Sequence, residues 1–171
     1  MSADPFDRLL AKMAKSNVAS ADELQGCTSA QIAAIEKRYS VRLPNTYRRY
    51  LEVMGRKSGR LFTHDYLSTD YRFALRGTAE VRKQLVEWES GFEIPPDAFV
   101  ILGRDAEQYN FIRCNDVEDS RVWAIDLGEE RVRSRRFRTS VVGWLRAWAN
   151  EAAEVVASGW YAPKSHGSRK R

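Results

Sequence analysis

The stretch from Cys27 to Gly55 constrains the fold more than any other part of the sequence. Thr28 and Gln31 have the spacing of a capping box, in which the hydroxyl and the side-chain amide satisfy backbone groups that the start of a helix leaves open. We therefore expect a helix to begin after Thr28. The apolar residues that recur at helical spacing and should form its buried face are Ile32, Ile35 and Tyr39.

A second helix should follow directly, because Leu43 and Pro44 interrupt the first one. Proline lacks a backbone N–H and clashes inside a helix, but it fits the first turn of a new one. Gly55 stands where a glycine can end that helix in the left-handed conformation. The buried face would carry Tyr47, Tyr50, Leu51 and Met54. The two short helices should form one packing unit.

This arrangement resembles the SUKH superfamily of Smi/Knr-like proteins, whose signature reads E…LPxxYxxFL…G. The residues that match the signature are Ile35-Glu36, Leu43-Pro44, Tyr47, Leu51 and Gly55. The resemblance continues through Phe99 to Asp105 and the strands that follow, as far as Trp144 and Leu145 in the last helix, so it covers about residues 27–150. One departure is Met54-Gly55-Arg56, where the family usually has an Asn-Gly-Gly-like turn.

Helices are also predicted outside this stretch. Asp4 followed by Pro5 favours a helix start at the N-terminus. Thr78 is expected to cap a helix that runs towards Gly91. The segment 56–77 has no clear periodicity; it allows a short strand at 60–63 and otherwise predicts a surface loop rich in aromatic residues. Thr139 or Ser140 should begin the last helix, which has the longest amphipathic pattern.

The period changes at Phe99, where the sequence begins to predict strands. An apolar run to Leu102 is typical of a strand covered on both faces, two alternating segments follow, and 132–137 should form an edge strand. The predicted fold class is α+β: a mostly antiparallel sheet of about four to six strands with the helices of 28–54 and 140–157 on one face. The residues expected to be buried together are Ile32, Ile35, Leu51, Ile101, Ile125, Trp144 and Trp148.

The chain is expected to have three parts: an N-terminal helix and connector (1–26), a single SUKH-like domain (27–160) and a basic disordered tail (161–171). The tail contributes four of the five net positive charges, which leaves +1 for residues 1–163. No segment reaches the roughly 20 apolar residues that a membrane helix needs, and the N-terminus lacks the pattern of a secretion signal. We therefore expect a cytoplasmic protein without a membrane partner.

No recognisable catalytic or metal-binding motif occurs in the sequence. His64 precedes Asp65, and Ser58 or Ser68 could act as a nucleophile, but consecutive residues rarely point into one site. The two cysteines are far apart in sequence and are expected to be buried thiols, because nothing marks the chain for export. One histidine and two distant cysteines do not supply the four ligands of a structural zinc site. We expect no enzyme activity, no cofactor and no metal.

Five arginines between Arg131 and Arg138 leave two interpretations open. Arginine binds phosphate in a bidentate manner, so this segment could bind nucleic acid. On a strand, however, Arg133 and Arg135 would share one face while Arg136 points to the other, and cations also protect edge strands from aggregation. We favour the edge or a protein contact, and nucleic-acid binding remains the alternative.

The resemblance implies a non-catalytic immunity protein of the bacterial branch, which binds and neutralises a toxin delivered by neighbouring cells, often a nuclease or deaminase. The alternative that it implies is a regulatory scaffold that binds host proteins. Because the periodic segments belong to the core, we expect the partner surface in the connections. The predicted contact residues are Phe62, His64, Asp65, Tyr66 and Tyr71 in one connection, and Asp105, Glu107 and Tyr109 in another. The chain should be a monomer or weak dimer.

Overall fold

The computed structural model describes residues 4–161, which form helices and antiparallel strands. The helices of this region are α1 (Pro5–Lys15), α2 (Ser29–Tyr39), α3 (Asn45–Met54), α4 (Tyr71–Glu87) and α5 (Val141–Ala157), with a 3-10 turn at Ala21–Glu23. The strands are β1 (Leu24–Gln25), β2 (Lys57–Ser58), β3 (Leu67–Ser68), β4 (Ala98–Arg104), β5 (Gln108–Arg113), β6 (Val122–Asp126) and β7 (Arg135–Arg138).

Strands β3 to β7 form the main sheet in chain order, and each pairs antiparallel with its neighbour. Strands β1 and β2 form a separate two-stranded sheet. The predicted α+β class with an antiparallel sheet is confirmed. The short strand β3 and the arginine-rich strand β7 are the two edges of the main sheet.

Helices cover both faces of the main sheet. Neighbouring strand residues point to opposite faces, so each face has its own hydrophobic core. Ile112 lies in what we call the first core, and Phe111 lies in the second core on the opposite face. The first core also holds the buried faces of α1, α2, α3 and α5, which confirms the predicted layer of the helix pair and the last helix. Helix α4 packs on the opposite face through Phe73, Val81 and Leu85, and the sequence did not place it there.

Five of the seven residues expected to be buried together are, and Ile125 and Trp148 differ from the prediction. Ile125 is buried, but it lies on the α4 face, because it alternates with Ala124 along β6. Trp148 is only half-buried against the first core. The other members are fully buried in the first core: Ile32, Ile35, Leu51, Ile101 and Trp144.

The helix pair α2–α3 begins as the sequence predicts but ends differently. The Gln31 amide N–H donates to Thr28 Oγ1 (3.2 Å), and the Thr28 N–H donates to Gln31 Oε1 (2.9 Å), which completes the capping box. Gly55 is not left-handed as predicted, since its φ is −67°. A glycine is required there for space: a Cβ would lie 2.7 Å from the carbonyl oxygen of Leu51 and 2.8 Å from the sulfur of Cys27.

Helix α4 starts at Tyr71, well before the predicted cap at Thr78. The Asp70 carboxylate caps it by accepting the Phe73 N–H at 3.0 Å. Thr78 lies inside the helix, where its hydroxyl accepts the Val100 N–H (2.9 Å) and links α4 to β4. The prediction for 56–77 is therefore wrong in part: residues 59–66 form the expected loop, but 60–63 is not a strand, and the segment also contains β2, β3 and the first turns of α4.

The two cysteines, Cys27 and Cys114, are free thiols; Cys27 is buried as expected, whereas Cys114 is only half-buried. Burial raises the pKa of Cys27 to about 11 and that of Cys114 to about 12. Within residues 4–161, no helix combines the length and apolarity needed to cross a membrane. The predicted basic tail falls outside the described residues, except for Tyr161.

Candidate protein-binding surface

The predicted loop and the predicted turn meet at one end of the main sheet. Leu67 of β3 pairs with Arg104 of β4, so the loop that precedes β3 lies beside the turn that follows β4. The Arg104 guanidinium also forms an ion pair with the carboxylate of Asp65. The structure thus brings together two connections that are about forty residues apart in sequence. Sequence spacing alone could not predict this contact.

The turn between β4 and β5 is a tight one that α4 supports. Asp105 and Ala106 have φ values of 52° and 56°, as in a type I′ turn, and the Glu107 N–H donates to the Arg104 carbonyl (3.2 Å). The Gln84 side chain donates to the Ala106 carbonyl at 3.2 Å. The side chains of Asp105 and Glu107 are exposed on this fixed turn.

Tyr66 is the most exposed large apolar residue described, at 86%. Its φ is 53°, and Asp65 before it has a φ of 68°. Two consecutive non-glycine residues in the left-handed region are uncommon and cost conformational energy, which the surrounding contacts must offset. Here those contacts are the Asp65–Arg104 ion pair and the β3–β4 pairing that begins at Leu67. The Tyr66 side chain is therefore exposed to solvent on a loop whose backbone conformation is fixed by these contacts.

His64 lies beneath this loop. Its side chain is 9% exposed, its ring is 5.9 Å from that of Trp148, and its Nε2 is 3.4 Å from Glu151 Oε1. Neither ring nitrogen makes a hydrogen bond. Asp65 pairs with Arg104 instead of orienting His64, so the His–Asp arrangement that the sequence allowed does not form.

The structure removes two aromatic residues from the predicted surface and restricts a third. Phe62 is 7% exposed and packs against Tyr50 and Trp144. Tyr109 is 4% exposed, and its hydroxyl donates to Gln84 Oε1 at 2.7 Å. Tyr71 is the first residue of α4 and is half-buried against the first core. These rings stabilise the fold.

Four of the predicted contact residues remain exposed together at this end of the sheet. We call them the Tyr66 surface: Asp65, Tyr66, Asp105 and Glu107. It combines one large aromatic ring with three carboxylates, of which Asp65 is paired with Arg104. Its role in binding stays a prediction.

A cleft of about 780 Å³ adjoins the Tyr66 surface, and sequence reasoning missed it. Leu67 and Ser68 of β3 form part of its wall. Its lining also includes five cationic side chains from two segments, the one after α3 and the start of α4: Arg56, Lys57, Arg60, Arg72 and Arg76. No single stretch of sequence contains all five, and the fold brings the two segments together.

The arginine-rich segment forms the predicted edge strand in part. Strand β7 starts at Arg135, so Arg133 lies outside it, and the predicted shared face of these two residues does not exist. Arg135 Nη1 is 2.7 Å from Glu129 Oε1, and the Arg136 guanidinium carbon lies 5.9 Å from the centroid of the Trp123 ring. Two of the three arginines are thus engaged within the protein.

Replacing Arg133, Arg135 and Arg136 with Gln should leave the fold intact and remove no specific nucleic-acid binding. The reason is that the segment is an exposed edge, and that Arg135 and Arg136 have partners within the protein. Fluorescence anisotropy with labelled DNA and RNA measures this, on a chain that ends at Pro163 so that the basic tail does not contribute. Submicromolar binding at physiological salt that the triple change abolishes would show a nucleic-acid site instead.

Two comparisons relate the chain to known proteins. Residues 26–143 match the sequence model of the SMI1 / KNR4 family (SUKH-1). The match includes the helix pair, the Tyr66 surface and the cationic cleft, apart from the acidic residues before Leu24. The comparison with curated proteins gives no match.

Proposed function

The chain belongs to the SMI1 / KNR4 family (SUKH-1), and we propose that it is a non-catalytic immunity protein that neutralises a bacterial toxin by stoichiometric binding. The contact would take place in the cytoplasm, where a delivered nuclease or deaminase acts. The family supports the general class of protein, and the Tyr66 surface supports binding as the mechanism.

The exposed ring of Tyr66 is the observation that carries this proposal. Tyrosine is enriched at the energetic centres of protein interfaces, because it couples a large apolar face to a polar tip. The Asp65–Arg104 ion pair and the β3–β4 pairing already order the loop, so a partner would lose little free energy in ordering it. Asp105 and Glu107 beside the ring would select a partner by charge.

The arrangement around His64 supports a non-catalytic function. A general base must reach the proton that it abstracts, but the His64 ring is packed against Trp148 beneath the loop. The carboxylate that follows it in sequence is held by Arg104. We therefore propose that the protein acts by occupying the toxin rather than by modifying it.

A regulatory scaffold that binds host proteins would use the same kind of contact, and gene order separates the two functions. An immunity protein is expected to be encoded next to its toxin. The test is to express the toxin domain encoded directly beside this gene, with and without this chain. We expect the chain to restore growth and to form a complex with the toxin on size-exclusion chromatography with light scattering.

The control is a second toxin of the same activity from an unrelated gene pair, which the chain should not neutralise. Growth arrest that persists with the chain present at equal or higher level, or the absence of a complex, would contradict the proposal. The regulatory-scaffold alternative would then take its place.

A further inference from the structure

The cationic cleft next to the Tyr66 surface is not used by the function proposed above. It is bounded by the segment that follows α3, by β3 and by the first turns of α4, and its volume is about 780 Å³. The cations that line it are Arg56, Lys57, Arg60, Arg72 and Arg76, and the carboxylates are Asp22, Glu23 and Asp70. Cations therefore outnumber carboxylates.

The three carboxylates of the cleft are engaged in local hydrogen bonds. Glu23 accepts from the Ser20 N–H (2.8 Å) and the Ser20 hydroxyl (3.0 Å). The Ser20 side chain also lowers the pKa of Asp22 through a hydrogen bond. Asp70 caps α4 through the Phe73 N–H. These acids hold the backbone of the walls in place, and none forms an ion pair with a cation of the cleft within residues 4–161.

The cations of the cleft are mostly unpaired. Arg56, Lys57 and Arg72 are exposed, and within residues 4–161 no carboxylate lies at ion-pair distance from them. Arg76 has Glu80 at 3.5 Å on the same helix, and Arg60 donates to the Asn17 carbonyl at 3.2 Å. A cleft with three unpaired cations attracts anionic groups.

The C-terminal end of the described chain contacts the segment that carries Arg60. The Tyr161 hydroxyl is 2.5 Å from that of Thr63, and the Arg60 guanidinium carbon lies 5.0 Å from the centroid of the Tyr161 ring.

We propose that this cleft binds an acidic peptide segment, a run of Asp and Glu residues, of the protein partner. Arginine pairs with carboxylate in a bidentate geometry, so Arg56 and Arg72 suit that chemistry. Phe62 and Leu67 add apolar groups to the lining, which suit the aliphatic parts of a peptide better than a phosphate backbone. A mixed lining therefore fits a peptide better than a nucleic acid.

The inference rests on the proposed function only for the identity of the partner, since the cleft can be tested without it. The probe is a short fluorescein-labelled peptide of alternating Glu and Gly residues, with a Lys and Gly peptide as its counterpart. We expect the acidic peptide to bind and the basic one not to bind. The double variant Arg56→Gln/Arg72→Gln should weaken binding by about tenfold or more, because it removes two charge-assisted contacts.

The matched control is Arg42→Gln/Arg146→Gln, which removes two exposed arginines outside the cleft and loses the same charge. This variant should bind the acidic peptide as tightly as the parent. All four substituted side chains are exposed, so circular dichroism and the Tm should be the same for both variants and the parent.

Three outcomes would overturn the inference. Equal losses in the two double variants would show that net charge, not the cleft, attracts the peptide. Tighter binding of single-stranded DNA of equal charge, lost in the cleft variant, would make the cleft a nucleic-acid site. The absence of peptide binding at low salt would show that the cleft does not take this ligand. If the chain then still neutralises the toxin, only this inference fails. Peptide binding without neutralisation would contradict only the proposed function.

Discussion

Leu51→Ala is expected to lower the free energy of unfolding by about 2–5 kcal/mol. Leu51 is 0% exposed and lies in the first core, where α3 meets the other helices of that layer. Its carbonyl also accepts the N–H groups of Cys27 (2.7 Å) and Gly55 (3.1 Å). Because these hydrogen bonds fix the surrounding backbone, the backbone cannot easily move to fill the cavity that the truncated side chain leaves. Urea denaturation followed by circular dichroism measures the change through the transition midpoint.

Val86→Ala is the matched control for this measurement. Val86 is also an aliphatic helix residue, in α4, but it is 73% exposed. Its truncation should change the free energy of unfolding by no more than about 0.5 kcal/mol. A midpoint for Leu51→Ala equal to that of the parent would mean that the helix pair is not part of the core as described.

Tyr66→Ala is expected to weaken toxin binding by about 2 kcal/mol or more, which is about thirtyfold in the dissociation constant. The substitution removes the ring that the left-handed loop presents to solvent, while the Asp65–Arg104 ion pair remains. Because Tyr66 is 86% exposed, we expect no loss of stability. Isothermal titration calorimetry with the toxin encoded beside the gene measures the effect.

Two further variants separate the role of this ring from a general effect. Tyr66→Phe keeps the apolar face and should retain most of the affinity. Val86→Ala removes exposed apolar surface away from the Tyr66 surface and should bind like the parent. If Tyr66→Ala binds as tightly as the parent, the contact lies elsewhere on the protein, and the arginine-rich edge is the next surface to test.

The sequence predicts the helix pair because its signals are local. Thr28 and Gln31 cap α2 through contacts within one turn, and the apolar spacing of α3 is set by residues that all face one core. The start of α4 was missed because Asp70 and Thr78 are both good caps. Only the contact of Thr78 with Val100 of a distant strand shows that Thr78 lies inside the helix.

The candidate site could be predicted only in part for a similar reason. The sequence identifies the two connections, but burial of Phe62 depends on rings of α3 and α5 that are distant in sequence. Tyr109 alternates with residues of the first core, yet α4 covers the other face of the sheet and buries it too. The cationic cleft has no local signal, since Arg56 and Arg72 meet only through the fold.

A titration of toxin activity against this chain tests most directly whether the chain neutralises the toxin by stoichiometric binding. A tight stoichiometric inhibitor lowers the activity linearly and abolishes it when the two proteins are present in equal amounts. We expect that result, with no dependence on incubation time once binding is complete. Loss of toxin activity at a small fraction of one equivalent, increasing with time, would show catalysis, and full activity with the chain in excess would show that it is not the toxin's immunity protein.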